Sequence, residues 1–280
     1  MEAGAAVHQG VPDRRRPFWL LGRYRRGSLP VLIHVLGPLR VSVNGLTLPL
    51  RGRRTHIILA VLALENNWAV SLDRLVDAVW GTSPPASART QIRICVSALR
   101  RTFADAGMPG LIETYHSGYR LRLAESDLDA TVFDSRVRHA RALASEGREA
   151  EAVMELREAL SLWNGPALAG LVCPALEWGA RRLEEGHLRA IEERIRLELA
   201  LGRHEDLIGE LIELAAKHPY REPLHGRLML ALYRSGRTAE ALACYRKVRR
   251  TLVEELGIEP GQELNDLEQA ILLGLAVPAG

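Results

Sequence analysis

The sequence predicts an α+β domain followed by an all-α domain, and three observations support that prediction. Short strand-like, helix-like and hairpin-like segments occupy residues 31–125. From Leu128 onward the apolar residues follow the 3.6-residue period of α-helices. In this second part Gly-Arg pairs recur, and those at Gly202 and Gly236 are 34 residues apart, the spacing of tetratricopeptide helix pairs. We therefore divide the chain into a flexible basic extension (1–30), an α+β domain (31–125) and a helical domain (126–280).

Composition excludes several classes of protein. Hydrophobic residues make up 47% and charged residues 25% of the chain, and no apolar run approaches the ~18 residues of a membrane helix. No apolar core precedes the basic run at residues 14–16, so a secretion signal is not expected. Cys95, Cys173 and Cys244 are too widely spaced for a disulfide framework or a zinc site. We expect a cytoplasmic, nucleoid-associated protein with no membrane segment, metal or other cofactor.

Charge is distributed unevenly between the two halves of the chain. Residues 1–125 carry 17 arginines and 8 acidic residues, a net charge of +9, whereas residues 126–280 carry 20 basic and 26 acidic residues, a net charge of −6. This asymmetry favours a polyanion as the partner of the first half only, with chance surface charge as the alternative. The arginines of residues 1–30 are able to touch phosphate, but the favoured interpretations are a solvated tail or residues upstream of the real start codon.

The α+β domain begins with three strands and two helices. The strands are predicted at Leu32–Leu36, Arg40–Val43 and Leu46–Leu50, and the helices at Arg54–Asn66 and Leu72–Trp80. Asn44-Gly45 is a strong signal for a two-residue hairpin turn. Ser71 is placed to cap the second helix, and Gly81 to end it. We assign Trp68 and Trp80 to the core.

A third helix has one apolar face and one basic face. Pro84-Pro85 cannot lie inside it, Ser87 can cap it and Gly107 can end it. Its apolar residues recur at steps of four, three and four and so share one face: Ile92, Val96, Leu99 and Phe103. The opposite face carries Thr90, Ile94, Ser97 and Arg101, with Arg93 and Arg100 on one flank.

Two strands are predicted after this helix, at Leu111–Tyr115 and Tyr119–Leu123, around a turn at His116-Ser117-Gly118. A basic-faced helix followed by a hairpin is the arrangement of a winged helix, and it favours DNA binding over catalysis. The predicted DNA contacts are Arg54, Arg89, Thr90, Arg93, Ser97, Arg100, Arg101, His116, Ser117, Gly118 and Arg120.

These contacts are expected to differ in role according to position. The first half of the third helix would read bases, since arginine pairs with guanine O6 and N7. Arg100 and Arg101 would hold phosphate, with a solvated face as the alternative. The wing would enter the minor groove or grip the backbone. For Arg54 the alternative to a phosphate contact is an exposed side chain without a partner. For His116 it is a loop residue that does not contact DNA, while Tyr119 is assigned to packing.

The helical domain repeats an apolar pattern after three Gly-Arg turns, at Gly147, Gly202 and Gly236. The residues five, nine and twelve positions after each glycine are apolar: Ala152, Leu207 and Ala241; Leu156, Leu211 and Tyr245; Ala159, Leu214 and Val248. A long helix from about Ala175 to Leu201 is predicted between the first two copies. The pattern predicts a tetratricopeptide-like array, an architecture that usually presents a binding surface.

The ordered motifs resemble a known family. Leu36–Gly45, Val70–Trp80, Val96–Arg101 and Gly118–Leu121 resemble an OmpR-type winged-helix domain, and Leu160–Leu168, Leu228–Arg237 and Glu255–Gly261 resemble the bacterial transcriptional activation domain. Over roughly residues 32–275 the chain therefore resembles the SARP family of actinomycete antibiotic-cluster activators. It is similar to the small class, because it ends at Gly280 and contains no Gly-x-x-x-x-Gly-Lys-Ser/Thr motif. It also shows no receiver domain, so control by an aspartyl phosphate in the usual OmpR arrangement is not expected.

This resemblance implies a transcriptional activator of an antibiotic or other secondary-metabolite gene cluster. Such a protein binds direct repeats in double-stranded promoter DNA and contacts the RNA polymerase holoenzyme with its sigma factor. Direct repeats also imply association with a second copy of the chain on DNA, as a homodimer with a head-to-tail contact.

Two readings from other classes of protein compete with this one. An enzyme is disfavoured, because the sequence shows no Ser/His/Asp motif, metal-ligand pair or phosphate loop. The second is a helical adaptor whose winged helix binds protein rather than DNA. A lack of DNA binding at low salt would favour the adaptor.

Overall fold

The computed structural model describes residues 31–275, and within them the chain forms six strands and ten α-helices. Within this range, strands and helices are mixed along the chain up to residue 121, and only helices follow from residue 129. The predicted class, a winged-helix α+β domain followed by an all-α array, is therefore confirmed. The predicted flexible extension at 1–30 lies outside the described residues.

A three-stranded antiparallel sheet opens the described chain, with β1 at Val31–His34, β2 at Arg40–Val43 and β3 at Leu46–Thr47. Asn44 and Gly45 join β2 to β3 with φ angles of 51° and 82°, the left-handed conformation of a type I′ turn. The predicted hairpin turn is thus confirmed. Ile33 and Val41 face each other in the register and are completely buried, so this sheet packs one face on the core.

Three helices follow: α1 at Arg53–Leu64, α2 at Leu72–Trp80 and α3 at Ala88–Asp105. The predicted cap of α2 is confirmed, since Ser71 Oγ accepts a hydrogen bond from Arg74 N at 3.1 Å. The predicted side-chain cap of α3 was wrong. Ser87 occupies the N-cap position, but its hydroxyl oxygen accepts from Gln91 Nε2 at 2.8 Å instead of from a backbone N–H.

A second sheet has the order β4-β6-β5, with β4 at Ala69–Ser71, β5 at Ile112–Tyr115 and β6 at Gly118–Leu121. The hairpin of β5 and β6 is the predicted wing, whereas β4 was not predicted. Gly118 lies against β4 so closely that a Cβ there would be 2.0 Å from Val70 O. The pairing of β4 with β6 therefore requires glycine at this position.

Trp68 corrects the predicted core. It is 76% exposed, because it follows Asn67, which adopts a left-handed φ of 65°. The Asn67 side chain is hydrogen-bonded through both amide atoms to the backbone of Leu123. This turn is held by backbone contacts rather than by the indole. Trp80, by contrast, is half-buried against the core.

The helical part consists of α4 at Asp129–Ser145, α5 at Glu149–Leu160, α6 at Pro174–Ala200, α7 at His204–Lys217, α8 at Glu222–Arg234, α9 at Thr238–Leu256 and α10 at Gln262–Leu272. Gly147, Gly202 and Gly236 lie in helix–helix turns with φ between 75° and 82°. Of the nine repeated apolar positions, Leu214 is half-buried and the other eight are buried. The predicted repeat is confirmed.

The buried core crosses the predicted domain boundary at 125/126. One cluster of buried side chains extends from Ile33 to Leu197, and a second one extends from Ile195 to Ile271. The two sequence-predicted domains thus share a core, and the change from one cluster to the next occurs within α6. No helix among the described residues is long and apolar enough to cross a membrane.

Polar contacts reinforce this shared core. The Asp129 carboxylate at the start of α4 accepts hydrogen bonds from Val35 N at 2.9 and 3.0 Å and from Leu36 N at 3.1 Å. Cys173 Sγ donates to Ala78 O at 2.9 Å, which joins the start of α6 to α2. The first sheet and α2 of the α+β part are therefore bonded directly to the first helices of the array.

Candidate nucleic-acid interface

Helix α3 has one buried face and one exposed face, as the spacing of its apolar residues predicts. Ile92, Val96, Leu99 and Phe103 are buried, at 1% exposure or less. The opposite side of the helix is exposed and carries Thr90, Arg93, Ile94, Ser97 and Arg101. An 18-residue helix is about 27 Å long at 1.5 Å per residue, so it presents a long surface. Its one acidic residue, Asp105, lies at its C-terminal end.

Arg93 and Arg101 are the predicted contacts with the most freedom to bind a ligand. Both are exposed, and within the described part of the chain neither makes a hydrogen bond or ion pair. Ile94, next to Arg93 in the sequence and on the same face as Arg101, is 62% exposed. An uncompensated positive face with an exposed apolar side chain is suited to an anionic partner that also offers apolar groups.

Two other predicted arginines flank this face in exposed contacts. Arg89 Nη2 lies 2.5 Å from Asp73 Oδ1 of α2, and both side chains are more than 60% exposed. Arg54 donates to the Gln91 side chain and stacks over Trp80, with 5.1 Å from its guanidinium carbon to the ring centroid. Exposed ion pairs contribute little stability, so a competing phosphate can take over the Arg89 guanidinium. The partners of Arg54 are an amide and a ring, which leave its positive charge uncompensated.

Arg100 is placed differently from its predicted neighbour Arg101. Its Nε donates to Ile112 O at 2.9 Å, and its Nη2 donates to Thr114 Oγ1 at 2.8 Å. Its guanidinium carbon also lies 5.6 Å from the ring centroid of Tyr119. Arg100 therefore braces α3 against the wing, a role that the sequence did not indicate. Its predicted phosphate contact stays a prediction.

The wing positions the remaining predicted residues. His116 and Ser117 are exposed at its tip, and His116 has a left-handed φ of 46°. Ser117 O accepts a hydrogen bond from Leu72 N at 3.1 Å, which ties the tip to the start of α2. Gly118 serves strand pairing, as described above, and Tyr119 is buried, so its assignment to packing is confirmed.

Arg120 is paired within the wing. Its Nη2 lies 2.6 Å from Glu113 Oε2, and Arg122 Nη1 lies 3.2 Å from Glu113 Oε1. Hydrogen bonds lower the pKa of Glu113, with the larger contribution from Arg120 and the smaller from Arg122, so the carboxylate stays ionised at neutral pH. Two cations share one anion here, which leaves a net positive charge on the wing.

Other chemistry finds little support in the described residues. They contain no group of three or more histidine, cysteine or acidic side chains that could hold a metal ion. All three cysteines are free. The surface formed by α3 and the wing, with its exposed arginines, is the candidate site.

Comparison with known proteins identifies the family. Residues 128–272 match the model of the bacterial transcriptional activator domain, and residues 50–121 match that of the transcriptional regulatory protein C-terminal domain. Regulatory protein DnrI of Streptomyces peucetius is 36% identical over 249 residues, which cover 86% of this chain and 91% of DnrI. The chain belongs to the SARP family of transcriptional regulators.

Longer and structurally characterised relatives agree with this membership of the SARP family. Regulatory protein AfsR of Streptomyces coelicolor is 39% identical over 94% of this chain, which spans only 26% of AfsR. A solved structure of Mycobacterium tuberculosis EmbR, in complex with a low-affinity phosphopeptide, matches with a TM-score of 0.87 and 34% identity. That match covers 90% of this chain and 67% of the EmbR chain. The resemblance inferred from the sequence motifs is confirmed.

Proposed function

We propose that this SARP-family regulator is a sequence-specific DNA-binding activator of transcription. It binds direct repeats at promoters of a secondary-metabolite, or antibiotic, gene cluster and recruits RNA polymerase holoenzyme with its sigma factor. The observation that carries DNA binding is the outer face of α3, where Arg93 and Arg101 are exposed and lack partners among the described residues. The choice of target genes and of polymerase rests on family membership.

In this proposal α3 lies in the major groove, which admits an α-helix. Thr90, Arg93 and Ser97 face base edges from the first half of the helix, and Ile94 is placed to contact a thymine methyl group. Arg101, two turns beyond Arg93, holds a phosphate and fixes the register of the helix on the duplex.

The wing and the flanking arginines add contacts outside the major groove. His116, Ser117 and Arg120 reach the adjacent minor groove or its backbone. Arg54 and Arg89 exchange their exposed intramolecular partners for phosphate, an exchange that costs little because those pairs are solvated. Repeated half-sites in the same orientation place two copies of the chain head to tail, and DNA binding places the protein at the nucleoid.

Fluorescence anisotropy with promoter DNA containing direct repeats tests the binding step. Between 50 and 200 mM salt, the logarithm of the association constant should fall linearly with the logarithm of the salt concentration. The slope of this line should be about −0.9 for each phosphate contact. Arg101→Ala should weaken binding to every sequence and reduce this slope by about one unit. Arg250→Ala, which removes an exposed arginine from α9, is the matched control and should leave the slope unchanged.

Base reading is tested with the same DNA after single-base substitutions. Arg93→Ala should relax the preference at one position of each repeat, at a cost of about 1–3 kcal/mol for the preferred sequence. If neither arginine variant changes binding, α3 is not the DNA-reading helix. If the wild-type chain does not bind at low salt, the adaptor function is favoured instead.

Recruitment is tested by footprinting with and without RNA polymerase holoenzyme. The regulator should protect the direct repeats alone, and adding holoenzyme should extend protection into the promoter while tightening both footprints. Holoenzyme binding that is unaffected by the regulator would contradict activation by recruitment and leave DNA binding intact.

A further inference from the structure

A cleft of about 910 Å³ lies between the end of α6, the start of α8 and α10. Several of its lining residues are part of the second cluster of buried side chains, and no residue of α3 or the wing lines it. Its walls are mainly apolar and include Leu199, Leu230, Leu264 and Leu267. Sites for small organic ligands commonly have volumes of about 300–1,000 Å³ and apolar walls with a few polar groups.

Two arginines line this cleft without hydrogen bonds among the described residues. The Arg227 side chain is 22% exposed, and its buried Nη1 has no hydrogen-bond partner. Nη1 lies 3.9 Å from Glu192 Oε1, because Glu192 is held by Arg221 through contacts of 2.6 and 3.1 Å. Arg196 is the second arginine. A guanidinium carries five N–H donors, so both side chains can still bind an anion.

The acidic residues that line the cleft make no hydrogen bond to either arginine within the described part of the chain. Glu222 Oε2 accepts from Gly261 N at 2.6 Å, and Asp266 Oδ1 accepts from Gln262 Nε2 at 2.6 Å. Glu263 is exposed to solvent. Burial lowers the pKa of Arg227, Glu192 and Glu263 act in the opposite direction, and Arg196 and Arg221 act with burial. An anion between Arg227 and Arg196 would offset the repulsion between these two guanidinium groups.

Gly226 leaves the cleft open. It lies inside α8, where glycine is less favourable than alanine. A Cβ at this position would meet only Leu264 Cδ1 at 3.6 Å and Leu267 Cδ2 at 3.8 Å, both ordinary contacts. Packing therefore does not require glycine here, and any larger side chain would project into the cleft.

We infer that this cleft binds an amphipathic organic anion, with an apolar body between α6, α8 and α10 and one carboxylate or sulfonate group on Arg227 and Arg196. This ligand site is separate from the DNA-binding function proposed above, since no residue of α3 or the wing lines it. Its occupant is a small molecule, because the two arginines offer one anion-binding point beside an apolar space of drug-like size.

The probe 8-anilinonaphthalene-1-sulfonate tests this site, because it combines an aromatic body with one sulfonate and fluoresces when its surroundings are apolar. The folded full chain should bind it at one saturable site. Decanoate should displace it at concentrations at least tenfold lower than decanol does, because decanol has the same chain length without a charge. Equal displacement by decanol and decanoate, or no saturable binding, would overturn the inference.

Three variants distinguish the cleft from other apolar surfaces. Arg227→Met should weaken probe binding about tenfold or more, because the charge-assisted hydrogen bonds are lost. Gly226→Leu should abolish binding while the urea midpoint stays the same or rises. Gly209→Leu, a matched change inside α7 at a glycine with open space around it, should leave binding unchanged. Undiminished binding by folded Gly226→Leu protein would show that the probe lies elsewhere.

Discussion

The carboxylate of Asp129 joins the backbone that follows β1 to the start of the helical array, and its removal has a calculable cost. Asp129→Ala leaves the buried N–H groups of Val35 and Leu36 without their acceptor. Each unpaired buried donor costs about 1–3 kcal/mol. We therefore expect the variant to lose about 2–6 kcal/mol of unfolding free energy at pH 5, a large part of a typical domain's total stability of about 5–15 kcal/mol.

This cost should depend on pH in a defined direction. Burial raises the pKa of Asp129 from 3.8 to about 6, against the effect of its hydrogen bonds. The folded state then binds more protons than the unfolded state between these values, so the Asp129 contribution to stability grows as the pH falls towards 4. At about 1.4 kcal/mol per pKa unit the whole effect is about 3 kcal/mol. About half of it should appear between pH 7.5 and pH 5.

Urea unfolding followed by far-UV circular dichroism at pH 5.0 and pH 7.5 measures this difference. The cost of Asp129→Ala should be larger at pH 5.0 by about 1.5 kcal/mol. His34, 3.7 Å away, has its pKa lowered to about 4 by burial, so it is mostly neutral over this range in both proteins. Asp105→Ala, at an exposed position, should change stability by about 0.5 kcal/mol or less. A cost that is equal at both pH values, or larger at pH 7.5, would refute the reasoning.

Three further predictions concern other parts of the chain. Glu198→Ala should cost about 3–5 kcal/mol in urea unfolding, because the fully buried carboxylate pairs with Arg194 and Arg157, whereas the exposed Glu213→Ala should cost little. Arg100→Met should speed amide hydrogen exchange in β5 and β6 but not in α9, since it releases the wing from α3; equal exchange throughout would contradict its bracing role. Trp68→Ser should change the free energy of unfolding in urea by about 0.5 kcal/mol or less. A loss above about 2 kcal/mol would show that the indole is part of the core.

Elements with strong local signals were predictable from the sequence. Asn44-Gly45 indicates its turn because few other residues adopt left-handed φ at both positions. The apolar face of α3 follows from spacing alone, since Ile92 to Phe103 can lie on one side only of a helix. The repeated positions after Gly202 and Gly236 were predictable for the same reason. Family membership followed from the order of such motifs.

Features that depend on distant contacts were not predictable. Asp129 lies 94 residues from Val35, and nothing near it in the sequence distinguishes it from other helix-starting acids. Arg100 and Arg101 are adjacent identical residues, yet one braces the wing and the other is exposed. Strand β4 has three residues, of which only Val70 is buried, too few for a periodic signal. Trp68 misled the prediction because tryptophan usually packs inside.

The continuous core from Ile33 to Leu197 has a consequence for promoter architecture. A regulator whose two domains are joined by a flexible linker would activate from operators at many distances from a promoter. In this chain α3 and the first array helices share one buried core, so under the proposed function the helical phase between operator and promoter matters. Inserting five base pairs between operator and promoter rotates the regulator by about half a turn of the duplex relative to the promoter and should abolish activation. Inserting ten base pairs returns the regulator to the same side of the duplex and should recover part of the activation.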